Sequence, residues 1–118
     1  MLPYRLIVIR EYLDPNGNSP FEKWFESLNA AAAAKVTVAL ANIEQGNLSN
    51  VKGVGAGVSE YRINFGPGYR IYFGKDGETI IIILGGGTKS RQRKDILAAR
   101  QCWNNYKERK TRGTKQWH

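Results

Sequence analysis

The segment "SEYRINFGPGYRIYFG", residues 59–74, gathers two arginines and a tyrosine on one side of an apparent β-hairpin. Gly66-Pro67-Gly68 supplies the turn, so 59–65 and 69–74 read as paired strands. Tyr61, Ile63 and Phe65 share a face with Tyr69, Ile71 and Phe73. Glu60, Arg62 and Asn64 share the opposite face with Arg70 and Tyr72. The simplest register pairs Phe65 with Tyr69, which sets Arg62 opposite Tyr72 and diagonal to Arg70. Arginine presents a planar fork of donors that matches phosphate, so this face suits an anion. Internal salt bridges compete for the same arginines, for example from Arg62 to Glu60 or Glu78.

The elements that would hold this hairpin can be read outward from it. Residues Tyr4–Glu11 are rich in β-branched residues and read as a first strand. "DPNGNSP" is a turn cluster that ends in a helix start. Ser19 is the N-cap, Pro20 takes the first helical position, and Glu22 follows three residues after the cap. Phe21, Trp24, Phe25 and Leu28 then recur at helical spacing. A second helix, "NAAAAAKVTVALANIEQGN", carries Val36, Leu40 and Ile43 as its apolar stripe and stops at Gly46. Residues 46–57 read as a Gly-rich loop bearing Lys52. After the hairpin, "TIIIIL" is apolar on both faces and reads as a central strand. The last helix carries Ile96, Ala99, Trp103 and Tyr106 on one stripe, and residues 109–118 read as a frayed basic tail. The order β-α-α-β-β-β-α implies an α+β domain over 1–108, a mostly antiparallel four-stranded sheet with an N-terminal helical hairpin and a C-terminal helix. With the hairpin of helices on the apolar face, the face of Arg62, Arg70 and Tyr72 is expected to stand open.

Charge is distributed unevenly. Residues 1–87 hold eight Lys/Arg and eight Asp/Glu, whereas 88–118 hold ten Lys/Arg against Asp95 and Glu108. The formal charge of +8 therefore lies wholly in the last quarter, which suggests a polyanion or an acidic protein as partner. A solvated basic helix is the plainer explanation. No run of 18 apolar residues exists, so no membrane association is expected. "MLPYRLIVIREYLDP" is broken by Arg5 and Arg10 and reads as a strand rather than a signal peptide. A single cysteine, Cys102, allows no internal disulfide and fits the cytoplasm.

Several familiar chemistries fall away. The one histidine, His118, is the last residue, and no His/Cys/Asp cluster offers a metal site. "GGGTKS" lacks the glycine at 88 that a phosphate-binding loop needs, since Thr88 stands there. What remains is a glycine turn into a helix N-terminus beside Lys89, Arg91 and Arg93, an arrangement that attracts phosphate only generically. "GVGAG" at 53–57 has neither the leading strand nor the following helix of a dinucleotide fingerprint. Cys102, in a helix with no histidine near it, reads as a packed thiol rather than a nucleophile. Trp103 and Tyr106 read as core anchors rather than stacking platforms for bases.

Taken together, "VKGVGAGVSEYRINFGPGYRIYFG", "TIIIILGGGTKSRQRKDILAARQCWNNYKER" and the capped "SPFEKWFESL" resemble the RelE/ParE toxin superfamily. The likeness is strongest to its HigB-like "addiction module killer" group, and it runs from about residue 4 to about residue 108. It implies the toxin of a type II toxin–antitoxin pair. Relatives such as RelE and HigB cut mRNA on the ribosome without metal or other cofactor, by attack of a 2′-hydroxyl on the adjacent phosphate. ParE-like members instead poison DNA gyrase without catalysis, and an inert nucleic-acid-binding relative is a third possibility. Carried onto this chain, Arg62 and Arg70 match the strand arginines that contact phosphate. Lys52 matches loop lysines that position RNA or transfer protons, and Lys89 a basic residue after strand four. The late tyrosine of RelE has no clear counterpart, so Tyr72 or Lys89 would supply the acid or base. Free tyrosine and lysine titrate at about 10 and about 10.4, so either would need a shift to act near neutrality. Arg91, Arg93 and Lys94 would meet nucleic acid. The implied partners are mRNA on the ribosome and a cognate antitoxin, a helix-turn-helix protein or one with an acidic segment.

Overall fold

The computed structural model describes residues 6–116. Five strands form one mixed sheet: β1 (Val8–Glu11), β2 (Val51–Gly53), β3 (Val58–Ile63), β4 (Tyr69–Asp76) and β5 (Ile80–Thr88). Their order across the sheet is β1-β5-β4-β3-β2. The helices are α1 (Pro20–Glu26), α2 (Ala30–Glu44) and α3 (Gln92–Gln116), with a 3-10 turn at Lys89–Arg91 leading into α3. The α+β class is as expected, but the sheet is not a four-stranded, mostly antiparallel one. β1 pairs parallel to β5, and the "Gly-rich loop" contains a fifth strand, β2, paired antiparallel to β3. Tyr4, read as the start of the first strand, and His118 lie outside the described residues. Among the described residues, no helix is long and apolar enough to cross a membrane.

Local signals decide the helix ends. Ser19 accepts a hydrogen bond from the Glu22 amide at 3.0 Å, and Pro20 opens α1. Asn29 caps α2 by accepting from the Ala32 amide at 2.9 Å. Gly46, at φ +80°, lets the chain leave α2 in the left-handed region.

The sheet is covered on both faces. Phe21 of α1 and Ala32, Val36, Ala39 and Ile43 of α2 pack on Tyr61, Ile63, Tyr69, Ile71, Phe73, Ile81 and Ile83. On the opposite face Ala99 and Trp103 of α3 pack on Tyr12, Val58, Tyr72, Ile82 and Leu84. The expected open face is therefore roofed by α3. β5 contributes isoleucines to both cores, as its unbroken apolar run implied.

Residues 109–116, read as a frayed tail, continue α3. Arg109 donates to the Leu13 carbonyl and stands over the Tyr12 ring at 5.1 Å. Lys110 and Tyr106 both donate to Asp76 of β4, Tyr106 at 2.6 Å. The Lys110 hydrogen bond, then that of Tyr106, holds the Asp76 carboxyl below its ordinary 3.8. The folded chain thus binds fewer protons at Asp76 than the unfolded chain does. The tether is complete above the ordinary value and is lost as pH falls through the lower folded one. Lys110 is mostly exposed, so the pair contributes under ~1 kcal/mol. Below about pH 4, hydrogen exchange is expected to show the end of α3 loosening before the sheet does. Asp76→Asn should exchange there at one pH-independent opening level, and identical acid behaviour in both chains would refute the tether.

Candidate functional site

The hairpin register differs from the simplest one by two residues. Ile63 pairs with Tyr69, Arg62 with Arg70, and Glu60 with Tyr72. The loop is Asn64–Gly68, with Gly66 at φ +55° and Gly68 at φ +82°. The shift keeps every side chain on its expected face but sets the two arginines directly opposite each other. Like charges in that position repel, so something must lie between them.

Glu60 lies there. It is fully buried, at 0% exposure. Its Oε1 accepts from Arg62 Nε at 3.0 Å and stands 3.6 Å from Arg70 Nε, an ion pair beyond hydrogen-bond length. Its Oε2 accepts from Gln92 Nε2 of α3 at 2.8 Å. The salt bridge weighed in the sequence is real, and it involves Glu60. It does not consume Arg62, whose side chain remains 40% exposed and whose terminal amino groups have no partner among the described residues. Arg70 is 5% exposed and donates from Nη1 to the Tyr69 carbonyl at 3.3 Å.

The lysines flank this pair. Lys52 is exposed on β2 directly across from Glu60, on a strand rather than in a loop. Lys89 is exposed, and its amide donates to the Gly68 carbonyl at 2.9 Å. A Cβ on Gly68 would sit 3.3 Å from the Lys89 Cβ and 3.8 Å from Arg70 Nη1, so the turn glycine is clasped between them. Arg91, Arg93 and Lys94 are exposed on the turns where α3 begins. A shallow cleft of about 290 Å³, lined by Gln92, Arg93, Ile96, Leu97 and Arg100, opens on this part of α3.

Tyr72 is not part of the accessible site. It is 0% exposed beneath α3, and its hydroxyl faces the Glu60 carboxylate without a hydrogen bond of ordinary geometry. Burial, then the charges of Glu60 and Asp95, push its hydroxyl far above the ordinary range. A group so enclosed reaches no substrate atom, and a proton held that tightly is not transferred near neutrality. Removing an unpaired buried hydroxyl relieves a desolvation cost. Tyr72→Phe is therefore expected to keep full activity and to match or exceed the native melting stability by up to ~1 kcal/mol. A tenfold loss of activity in a folded Tyr72→Phe protein would overturn that assignment.

The glycines of the "GGGTKS" run are strand, not a flexible turn, and Lys89 and Ser90 belong to the 3-10 turn that follows. β5 extends through Gly85–Gly87 to Thr88. A Cβ on Gly86 would overlap the Trp24 ring, and one on Gly87 would overlap the Asp95 carboxylate. The glycines make room for α1 on one face and for the first turn of α3 on the other. Asp95 supplies its own negative charge in that first turn, where the run suggested a bound phosphate. Burial raises the Asp95 carboxyl, against the pull of Arg91 and Lys94. Cys102 is half-buried with its thiol pushed up by burial, as suits a packed residue. Trp103 is a core residue stacked on Tyr106 at 5.3 Å.

Two residues of this site, Glu60 and Gln92, were not singled out as functional by sequence. Glu60 carried a signal, since an acid on the arginine face of a strand must be paired if that face is roofed. Gln92 carried none, because only the packing of α3 brings it across.

No known protein-family model matches the chain. A protein of Haemophilus influenzae (strain Rd), named only as uncharacterized, is 38% identical over 81 residues. The match covers 68% of this chain and 82% of the relative. The chain belongs to the same family as that protein. The name of that relative carries no activity.

Proposed function

We propose that the protein is the toxin of a type II toxin–antitoxin pair, of the RelE/HigB kind, and that it cuts mRNA on the ribosome. The observation that carries this reading is the Arg62–Arg70 pair. Two guanidiniums face each other on neighbouring strands, one carboxylate engages their inner corners, and Arg62 keeps its outer donors toward solvent. The cluster of Arg62, Arg70 and Glu60 holds one net positive charge, flanked by Lys52 and Lys89. That arrangement suits a phosphodiester that gains charge in its transition state.

In the proposed reaction the 2′-oxygen forms a bond to phosphorus as the bond from phosphorus to the 5′-oxygen breaks. The products are a 2′,3′-cyclic phosphate and a free 5′-hydroxyl. Arg62 would bind a non-bridging oxygen, and Arg70 would reinforce it from beneath. In this reading Lys52 and Lys89 would share the proton transfers, one as a neutral amine taking the 2′-proton and the other as an ammonium giving one to the leaving oxygen. The basic start of α3, with Arg91, Arg93 and Lys94, would face nucleic acid with salt-dependent affinity. An antitoxin encoded nearby would neutralise the same basic surface, and the complex would act in the cytoplasm.

Induced expression from a tightly repressed promoter tests the reading. Rapid loss of pulse-labelled protein synthesis supports it. Growth arrest with DNA damage and continuing synthesis would instead mark a gyrase poison. Harmless overexpression would mark an inert nucleic-acid-binding domain.

A further inference from the structure

We propose that Glu60 is a positioning residue, whose buried carboxylate sets the spacing and outward aim of Arg62 and Arg70, with Gln92 of α3 completing its coordination. The functional consequence rests on the endoribonuclease reading above; the geometry does not.

Strand alternation puts Glu60 two residues before Arg62, on the same face of β3. The hairpin register then brings Arg70 beside both. A buried carboxylate is costly unless charged or hydrogen-bonding partners satisfy it, and here it has three. The choice of atoms matters more than the count. Both guanidiniums meet Glu60 through Nε, the corner nearest the chain. A carboxylate that took the terminal amino groups side-on would occupy the fork a phosphate needs. Held by the inner corner, Arg62 presents its terminal donors outward. Gln92 satisfies Oε2 at 2.8 Å without bringing charge, so the cluster stays positive by one unit. A third cation in that place would neutralise nothing useful, and a second acid would cancel the site. Gln92 also ties the first turn of α3 to β3, so the same bond fixes the roof over Arg70.

The test separates aim from charge. Glu60→Gln keeps the shape and removes a negative charge, so charge alone predicts tighter binding of a short single-stranded RNA. Positioning predicts RNA affinity equal to or tighter than native, with cleavage on the ribosome at least about tenfold slower. Glu60→Asp keeps the charge but withdraws it by one methylene, and is expected to slow cleavage in the same way. Should either variant fail to fold, Gln92→Leu decides. It leaves the buried Oε2 without its partner, so it is expected to melt below native yet stay folded at assay temperature, to keep RNA affinity near native, and to slow cleavage several-fold, by about threefold or more. The guanidinium Nε–H signals of Arg62 and Arg70 give a readout independent of activity. In the native protein the Arg62 signal should be protected by its hydrogen bond to Glu60, and both signals should shift in Glu60→Gln as the carboxylate charge beside them is lost. Native-rate cleavage by a folded Glu60→Gln protein would overturn the proposal. A native protein that cleaves nothing would instead remove the endoribonuclease reading, and unchanged Nε–H signals in Glu60→Gln would then remove the positioning claim by itself.

Discussion

Arg62→Ala abolishes growth arrest and slows message cleavage by about 10²–10³-fold, while the protein stays folded. That is the expected result, and the geometry explains both halves. Arg62 is 40% exposed and gives Glu60 one of its three partners, so Arg70 and Gln92 still hold the carboxylate when it is gone. What is lost is the group with free outward donors. Arg70 differs. It is 5% exposed, and its removal leaves the buried Glu60 without its deepest cation. Arg70→Ala is therefore expected to cost several kcal/mol, about 3–5, so loss of toxicity in that variant does not separate function from folding. The cleaner pair is Arg62→Ala beside Arg62→Lys. Lysine keeps the charge but not the fork, and is expected to recover only part of the rate. Toxicity assays read beside thermal melts check this, and a fully toxic Arg62→Ala protein would remove Arg62 from the site.

The largest expected effect on stability is at Trp103. Its ring lies on the backbone of β4, where a Cβ on Gly74 would come within 2.6 Å of it, and it approaches Gly57 as well. It is 5% exposed and anchors α3 over Tyr72, Ile82 and Leu84. Truncating a buried tryptophan costs about 3–5 kcal/mol. A domain of this size has about 5–15 kcal/mol in total. Trp103→Ala should therefore bring the chain close to unfolding at 37 °C and free α3 from the arginine face. Leu97→Ala on the same helix removes a residue that is 59% exposed, and should shift stability by no more than about 0.5 kcal/mol. Denaturant titration of the two variants checks the contrast, and equal losses would contradict the packing of α3.

The start of α1 was legible because capping is local. Ser19 and Pro20 carry their message within three or four residues. The faces of β3 and β4 were legible for a similar reason, since alternation survives a register error of two. The register itself was not. Gly66-Pro67-Gly68 suggested a tight turn, but Asn64 and Phe65 also leave the ladder, and nothing nearby in sequence fixes that choice. β2 was hidden because three residues are too few to alternate, the last of them is Gly53, and glycines follow at 55 and 57. The parallel pairing of β1 with β5 joins the two ends of the fold, which no local pattern can reveal. The greatest change came from α3. Its stripe of Ile96, Ala99, Trp103 and Tyr106 was read correctly, but the surface it would cover was not. Once α3 lies on the arginine face, Tyr72 becomes core, Glu60 becomes the hub of the site, and Arg62 becomes its exposed donor.

The most direct measurement is addition of purified protein to a reconstituted translation system, with mapping of 5′ ends on a reporter mRNA with and without ribosomes. The account predicts new 5′-hydroxyl ends inside the translated frame, formed only when ribosomes are present, and absent when Arg62→Ala protein is added. Intact message and undiminished protein synthesis at toxin levels equal to the ribosomes would contradict it.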